Sequence, residues 1–126
     1  MTGVVRRREA RVRLTILGPG TKQKITGVID TGFTASLTLP ASRIATLDLH
    51  WRSSGRGILA DGSECLFNVY EATLIWNRKA RKILVTEAET TPLIGMTLLD
   101  GYELNVQVRP GGKVTIRKLP DCEGTR

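Results

Sequence analysis

Hydrophobic and polar positions alternate along most of the chain in short runs, broken by Gly, Pro and Asn. Arg11-Val12-Arg13-Leu14-Thr15-Ile16-Leu17 has the period of two expected of a strand with one buried face. Gly18-Pro19-Gly20-Thr21 supplies turn dihedrals. Residues 23–30 then read as the returning strand, which becomes wholly apolar at Val28-Ile29, just before Asp30. Leu37-Thr38-Leu39 is a short strand stopped by Pro40. Residues 41–47 fit about two turns of helix, with Ser42 as candidate cap and Ile44 and Leu47 one turn apart. The polar, Gly/Ser-rich stretch from His50 to Gly57 reads as a loop.

Further on, Asp61-Gly62 lies between two strand-like runs, Arg56 to Ala60 and Ser63 to Trp76, a strong hairpin signal. After a turn at Asn77-Arg78-Lys79, residues 82–86 form the next strand. Met96 to Leu99 reads as a short helix ended near Gly101. Residues 104–108 and 113–117 are the last strands, around Pro110-Gly111-Gly112. Many short strands with Gly/Pro turns predict an all-β barrel or sandwich. Residues 1–10 read as a mobile basic N-terminal arm, 11–119 as the folded domain and 120–126 as a loose C-terminal tail.

Composition narrows the classes. A chain of 126 residues suits one domain. No apolar run is long enough for a transmembrane helix, and no apolar segment follows Arg6-Arg7-Arg8 as a secretory signal requires. A cytoplasmic location with no membrane partner is expected. There, Cys65 and Cys122 are expected to be reduced and structural. With His50 as the one histidine, neither a zinc site nor a Ser-His-Asp triad is supported. The net charge of +7 permits a nucleic-acid partner, but the basic residues are spread from Arg6 to Arg126, with small clusters at Arg6–Arg8 and Arg78–Lys82. No aromatic-rich basic stripe accompanies them, so nucleic acid is not the expected partner.

The sharpest chemical feature is Val28-Ile29-Asp30-Thr31-Gly32. A carboxylate that follows two large aliphatics must be hydrogen-bonded, paired or employed. A turn-starting Asp is the plain alternative. The sequence continues Phe33-Thr34-Ala35-Ser36-Leu37-Thr38-Leu39-Pro40, and later reads Pro92-Leu93-Ile94-Gly95-Met96-Thr97-Leu98-Leu99. Asp-Thr-Gly after two hydrophobics, a hairpin in between, then two hydrophobics and Gly before a short helix resembles the retropepsin-like aspartic proteases. The likeness is closest to their small bacterial and archaeal members and spans about residues 11–118.

The resemblance implies a closed retropepsin-like β-barrel, with one short helix after the second hydrophobic-hydrophobic-Gly motif. It implies a homodimer whose active site lies on the two-fold axis and uses Asp30 of both subunits. Two carboxyls within about 3 Å cannot both ionise easily, so they share a proton. One activates a water and the other polarises the scissile carbonyl of a protein or peptide substrate. No metal or organic cofactor is implied. Thr31 would brace the two loops across the dimer, and Gly32 would donate its N–H to the carboxyl. Ile94 and Gly95 would support the loop from beneath. Ala60, Asp61, Gly62 and Ser63 match the tip of the flap that closes over substrate, and Phe33 is a candidate pocket residue. Met96 stands where retroviral members often carry an Arg used in an intersubunit ion-pair network. The alternative reading is the same fold kept as a dimeric peptide- or protein-binding module with little or no proteolysis.

Overall fold

The computed structural model describes residues 1–58 and 60–121. Strands hold 59% of the described residues and helices 9%, so the fold is mainly β. In chain order the strands are β1 (Thr2–Arg6), β2 (Glu9–Gly18), β3 (Thr21–Ile29), β4 (Leu37–Leu39), β5 (His50–Ile58), β6 (Glu64–Trp76), β7 (Lys79–Glu87), β8 (Leu93–Ile94), β9 (Tyr102–Val106) and β10 (Lys113–Lys118). Helix α1 (Ala41–Leu47) follows β4, and α2 (Met96–Leu99) follows β8.

All ten strands belong to one sheet, in the order β5-β6-β7-β4-β8-β3-β2-β1-β10-β9. A second pairing, β6 with β2 through Thr15 opposite Ile75, closes β2, β3, β8, β4, β7 and β6 into a ring of six. Period-two alternation along β2 sends Val12, Leu14 and Ile16 into the ring and leaves Arg11 and Arg13 on its outer face. Ile25, Leu37, Leu39, Leu74, Val85, Ile94 and Leu98 complete the same core. Trp76 closes it against Tyr102, ring edge to ring face with centroids 5.7 Å apart.

Helix α1 forms where the one-turn spacing of Ile44 and Leu47 predicts it, and both side chains are buried. Ser42 is not its cap. Pro40 holds the N-cap position without a side-chain bond, and Glu89 accepts from the Ala41 N–H at 2.9 Å. The helix ends on Asp48, left-handed at φ 52°. Helix α2 is one turn long, so the described residues carry two helical segments beside the strands.

Two segments differ from the sequence expectation. Residues 1–10 are not a separate arm: Thr2–Arg6 is β1, paired with β2 on one side and β10 on the other. Val5 is 2% exposed, and the Met1 ammonium donates to the Ile116 carbonyl at 2.8 Å. Three arginines conceal the β-branched Val4-Val5 pair that drives this strand inward. Likewise His50–Ile58 is a strand, β5, not a loop. It is exposed on both faces and so has no hydrophobic period to betray it. Its glycines make room instead: a Cβ on Gly55 would lie 2.4 Å from the Phe67 ring.

The β1–β2 connection is the pair Arg7-Arg8, with φ of 52° and 62°. Two successive left-handed residues in a two-residue hairpin favour Asn-Gly, because a larger side chain is strained there. The double substitution Arg7→Asn/Arg8→Gly is expected to stabilise the fold by about 1 kcal/mol. A rise in the urea midpoint at unchanged slope would register it; a fall would refute it.

Candidate active site

Asp30 follows the last residue of β3, where the chain leaves the ring. Strands β3 and β8 run parallel, with Val28 opposite Leu93 and Ile29 opposite Ile94. That pairing continues past the strand end, as the Asp30 N–H donates to the Ile94 carbonyl at 2.9 Å. The loop then turns back on itself. The Gly32 N–H donates to Asp30 Oδ1 at 2.9 Å, and the Phe33 N–H to the Asp30 carbonyl at 3.1 Å. Asp30 is half-buried, while Thr31 and Gly32 are exposed. Among the described residues no Lys or Arg forms an ion pair with Asp30, although the chain is strongly basic.

The second motif lies directly under this loop. The Gly95 N–H donates to the Ser36 carbonyl at 2.9 Å, and the Met96 N–H to the Phe33 carbonyl at 2.8 Å. Thr97 Oγ1 also donates to the Thr34 carbonyl. A Cβ on Gly95 would stand 2.0 Å from the Ala35 carbonyl oxygen and 2.6 Å from Phe33 Cδ2. Gly95 itself is extended, at φ −101°. Lack of space therefore demands glycine here, not an unusual dihedral. Ile94 is wholly buried and fills the room above Gly27, where a Cβ would come within 2.8 Å.

Asp30, Gly32, Phe33, Ile94 and Gly95 are thus gathered into one junction. Phe33 is half-buried and its ring lies against Gly95, so it forms part of the support beneath the loop. Thr31 borders an open groove of about 700 Å³, with Met96, Leu99, Tyr102, Leu104 and Leu119 among its walls. Met96, at the position that the resemblance compares with Arg, is 46% exposed on this groove.

Ala60, Asp61, Gly62 and Ser63 sit elsewhere, at the far end of the long β5–β6 hairpin. No hydrogen bond among the described residues ties the tip to the Asp30 loop. Gly62 is left-handed at φ 86°, as the Asp-Gly signal anticipates. Asp61 Oδ1 accepts from both the Ser63 hydroxyl (2.6 Å) and the Ser63 N–H (2.9 Å). Those two bonds hold the Asp61 carboxyl below its ordinary pKa. A carboxylate with a lowered folded value stabilises the turn at neutral pH and loses that contribution as pH falls through the folded value. Ser63→Ala should move the Asp61 titration back up toward the usual range. Carboxyl-carbon NMR would follow it, and an unmoved midpoint would show that Ser63 does not set it. Just behind the tip, Ile58 and Leu66 are 80% and 71% exposed.

Arg81 has no counterpart in the sequence reading. From β7 it donates to the Leu98 carbonyl at 3.2 Å and the Thr97 carbonyl at 3.4 Å, satisfying the open end of α2. Charge near a helix C-terminus would have signalled it only once β7 was known to pass there. Buried Thr38 is similar: its Oγ1 accepts from the Leu93 N–H at 2.8 Å and fastens β8 to β4. Among the described residues Cys65 is a free thiol, and the expectation for Cys122 concerns a position outside them. No helix among the described residues is long and apolar enough to cross a membrane. No protein-family model, curated protein or solved structure matches the chain.

Proposed function

We propose that the chain is one half of a dimeric aspartic endopeptidase with a retropepsin-like closed β-barrel. The observation that supports this reading most is the state of Asp30. Its carboxylate is half-buried at a strand end, steadied through Oδ1 by Gly32 and free of any cationic partner among the described residues. With one hydrogen bond and no cation on it, the carboxylate keeps acceptor sites available for a water or a second carboxyl. Here the outward-facing Thr31 and Gly32 leave the same loop open to a second copy.

In the proposed dimer, two Asp30 carboxyls meet across the two-fold axis and hold one proton between them. The ionised carboxyl takes a proton from water as its oxygen attacks the scissile carbonyl carbon. The protonated one hydrogen-bonds the carbonyl oxygen. When the C–N bond breaks, a proton passes to the leaving amine. The hairpin tip would cover an extended peptide, with Ile58 and Leu66 giving apolar contact that free solvent does not reward.

The test is cleavage of a diverse peptide library from acid to neutral pH, over a dilution series of the enzyme. Specific activity is expected to fall once the subunit concentration drops below the dimer dissociation constant, since each subunit brings one carboxylate. Cleavage with constant specific activity far into the monomeric range would refute the shared site. No cleavage from a confirmed dimer would favour a peptide-binding module.

A further inference from the structure

Arg6, Arg7, Arg8 and Arg11 stand close together in the sequence, and the fold brings Arg109 beside them. The Val5 N–H donates to the Gly112 carbonyl and the Gly111 N–H to the Val5 carbonyl, both at 2.9 Å. These bonds pin the β9–β10 turn, which carries Arg109, against β1 and the Arg7-Arg8 turn. Arg6, Arg7 and Arg11 line a cleft of about 570 Å³, and Arg7, Arg8 and Arg109 an adjoining one of about 470 Å³. All but the half-buried Arg11 are exposed. Glu9, which pairs with Arg11 at 2.8 Å, is the one acid bonded to the group among the described residues. The five arginines less Glu9 carry +4, more than half of the chain's +7.

Arg11 Nε is buried and has no hydrogen-bond partner. Arg7 and Arg8 occupy left-handed positions that favour Asn and Gly, so the turn keeps two guanidinium groups against local preference. Every member is Arg and none is Lys, the choice suited to planar, two-point contact with phosphate. No aromatic side chain lines either cleft, so base stacking on a single strand has no platform.

We propose that this arginine cluster binds the phosphate backbone of duplex nucleic acid, without regard to base sequence. A rigid duplex presents about one negative charge per 1.7 Å, dense enough to engage five guanidinium groups together. An acidic peptide would first have to be ordered against the surface. The inference is independent of the proteolytic reading, because it uses no residue of the Asp30 junction.

The test is fluorescence anisotropy of a labelled 20-base-pair DNA duplex with the full chain, from 50 to 200 mM salt. Five phosphate contacts predict a slope of about −4.5 in log K against log salt. Arg7→Asn/Arg8→Gly keeps the turn while removing two cations. It should flatten the slope by about 2 and weaken binding on the order of fiftyfold near 100 mM salt. Lys22→Gln/Lys24→Gln removes the same charge from the far end of the β2–β3 hairpin, opposite Leu17 and Thr15, and should change the slope much less. Equal losses in the two variants would mean that net charge, not the cluster, binds DNA, and would overturn the proposal. So would no binding at 50 mM salt, equal affinity for polyglutamate, or a strong preference between two unrelated duplex sequences. A melting temperature no lower than that of the unaltered chain excludes unfolding as the cause of a loss.

Discussion

Asp30→Asn is expected to abolish peptide cleavage while leaving the fold intact. The amide keeps an oxygen that can accept from the Gly32 N–H, now at 2.9 Å, so the loop retains its bond. It cannot take a proton from water, and in the proposed site both copies lose that ability together. Loss of a general base alone costs roughly 10²–10⁴-fold, and loss of both carboxyls places the residue at the upper end or beyond. Far-ultraviolet circular dichroism and the urea midpoint should stay near those of the unaltered chain, because the carboxylate has no cationic partner to orphan among the described residues. Cleavage within a fewfold of the unaltered rate would remove Asp30 from the mechanism. Loss of activity together with unfolding would make it a structural residue.

The second large effect is expected from Gly95→Ala. The new methyl would stand 2.0 Å from the Ala35 carbonyl oxygen and 2.7 Å from that of Phe33, both backbone atoms. Neither can rotate aside. Relief requires the Phe33–Ser36 segment to separate from β8 and α2, which breaks the Gly95-to-Ser36 and Met96-to-Phe33 bonds. Overpacking plus two lost hydrogen bonds should cost about 3–5 kcal/mol. Gly20→Ala is the comparison: its Cβ meets nothing within 4 Å and faces only the penalty of φ 72°, about 1 kcal/mol. Urea unfolding of the two variants separates crowding from dihedral strain. A Gly95 variant no less stable than the Gly20 variant would show that the loop is not clamped there. Any surviving folded fraction should also cleave poorly, since an ångström of displacement at Asp30 is worth about a hundredfold in rate.

Much of the junction was legible because its signals are local. The apolar Val28-Ile29 pair marks where β3 enters the interior and so places Asp30 at a strand end. Leu93-Ile94-Gly95 marks a second close approach of backbone, and the clash distances at Gly95 give the physical reason. Asp61-Gly62 marks the hairpin tip, and Ile44 with Leu47 marks α1. The illegible parts depend on distant partners. Strand β1 hides behind three arginines because only Val5 among its residues is fully buried, and β5 is paired on one edge and exposed on both faces. The β2–β6 closure joins Thr15 to Ile75 across sixty residues and leaves no local trace. Arg81 and Glu89 serve backbone groups of helices formed elsewhere in the chain, so their roles exist only in three dimensions. Arg109 is the same kind of case, since it joins Arg6–Arg8 only through the turn bonded to Val5.

In the proposed dimer one active site needs Asp30 from two subunits, and subunit mixing tests this most directly. Unaltered chain is mixed with an equal amount of Asp30→Asn chain, allowed to exchange, and assayed on a peptide selected from the library by its cleavage with the unaltered chain. Random pairing converts half of the unaltered subunits into mixed dimers with one carboxylate, so activity should fall to about half that of the unaltered chain alone. Activity unchanged after exchange, with mixed dimers demonstrated by native mass spectrometry, would show that each subunit works alone and would contradict the shared site.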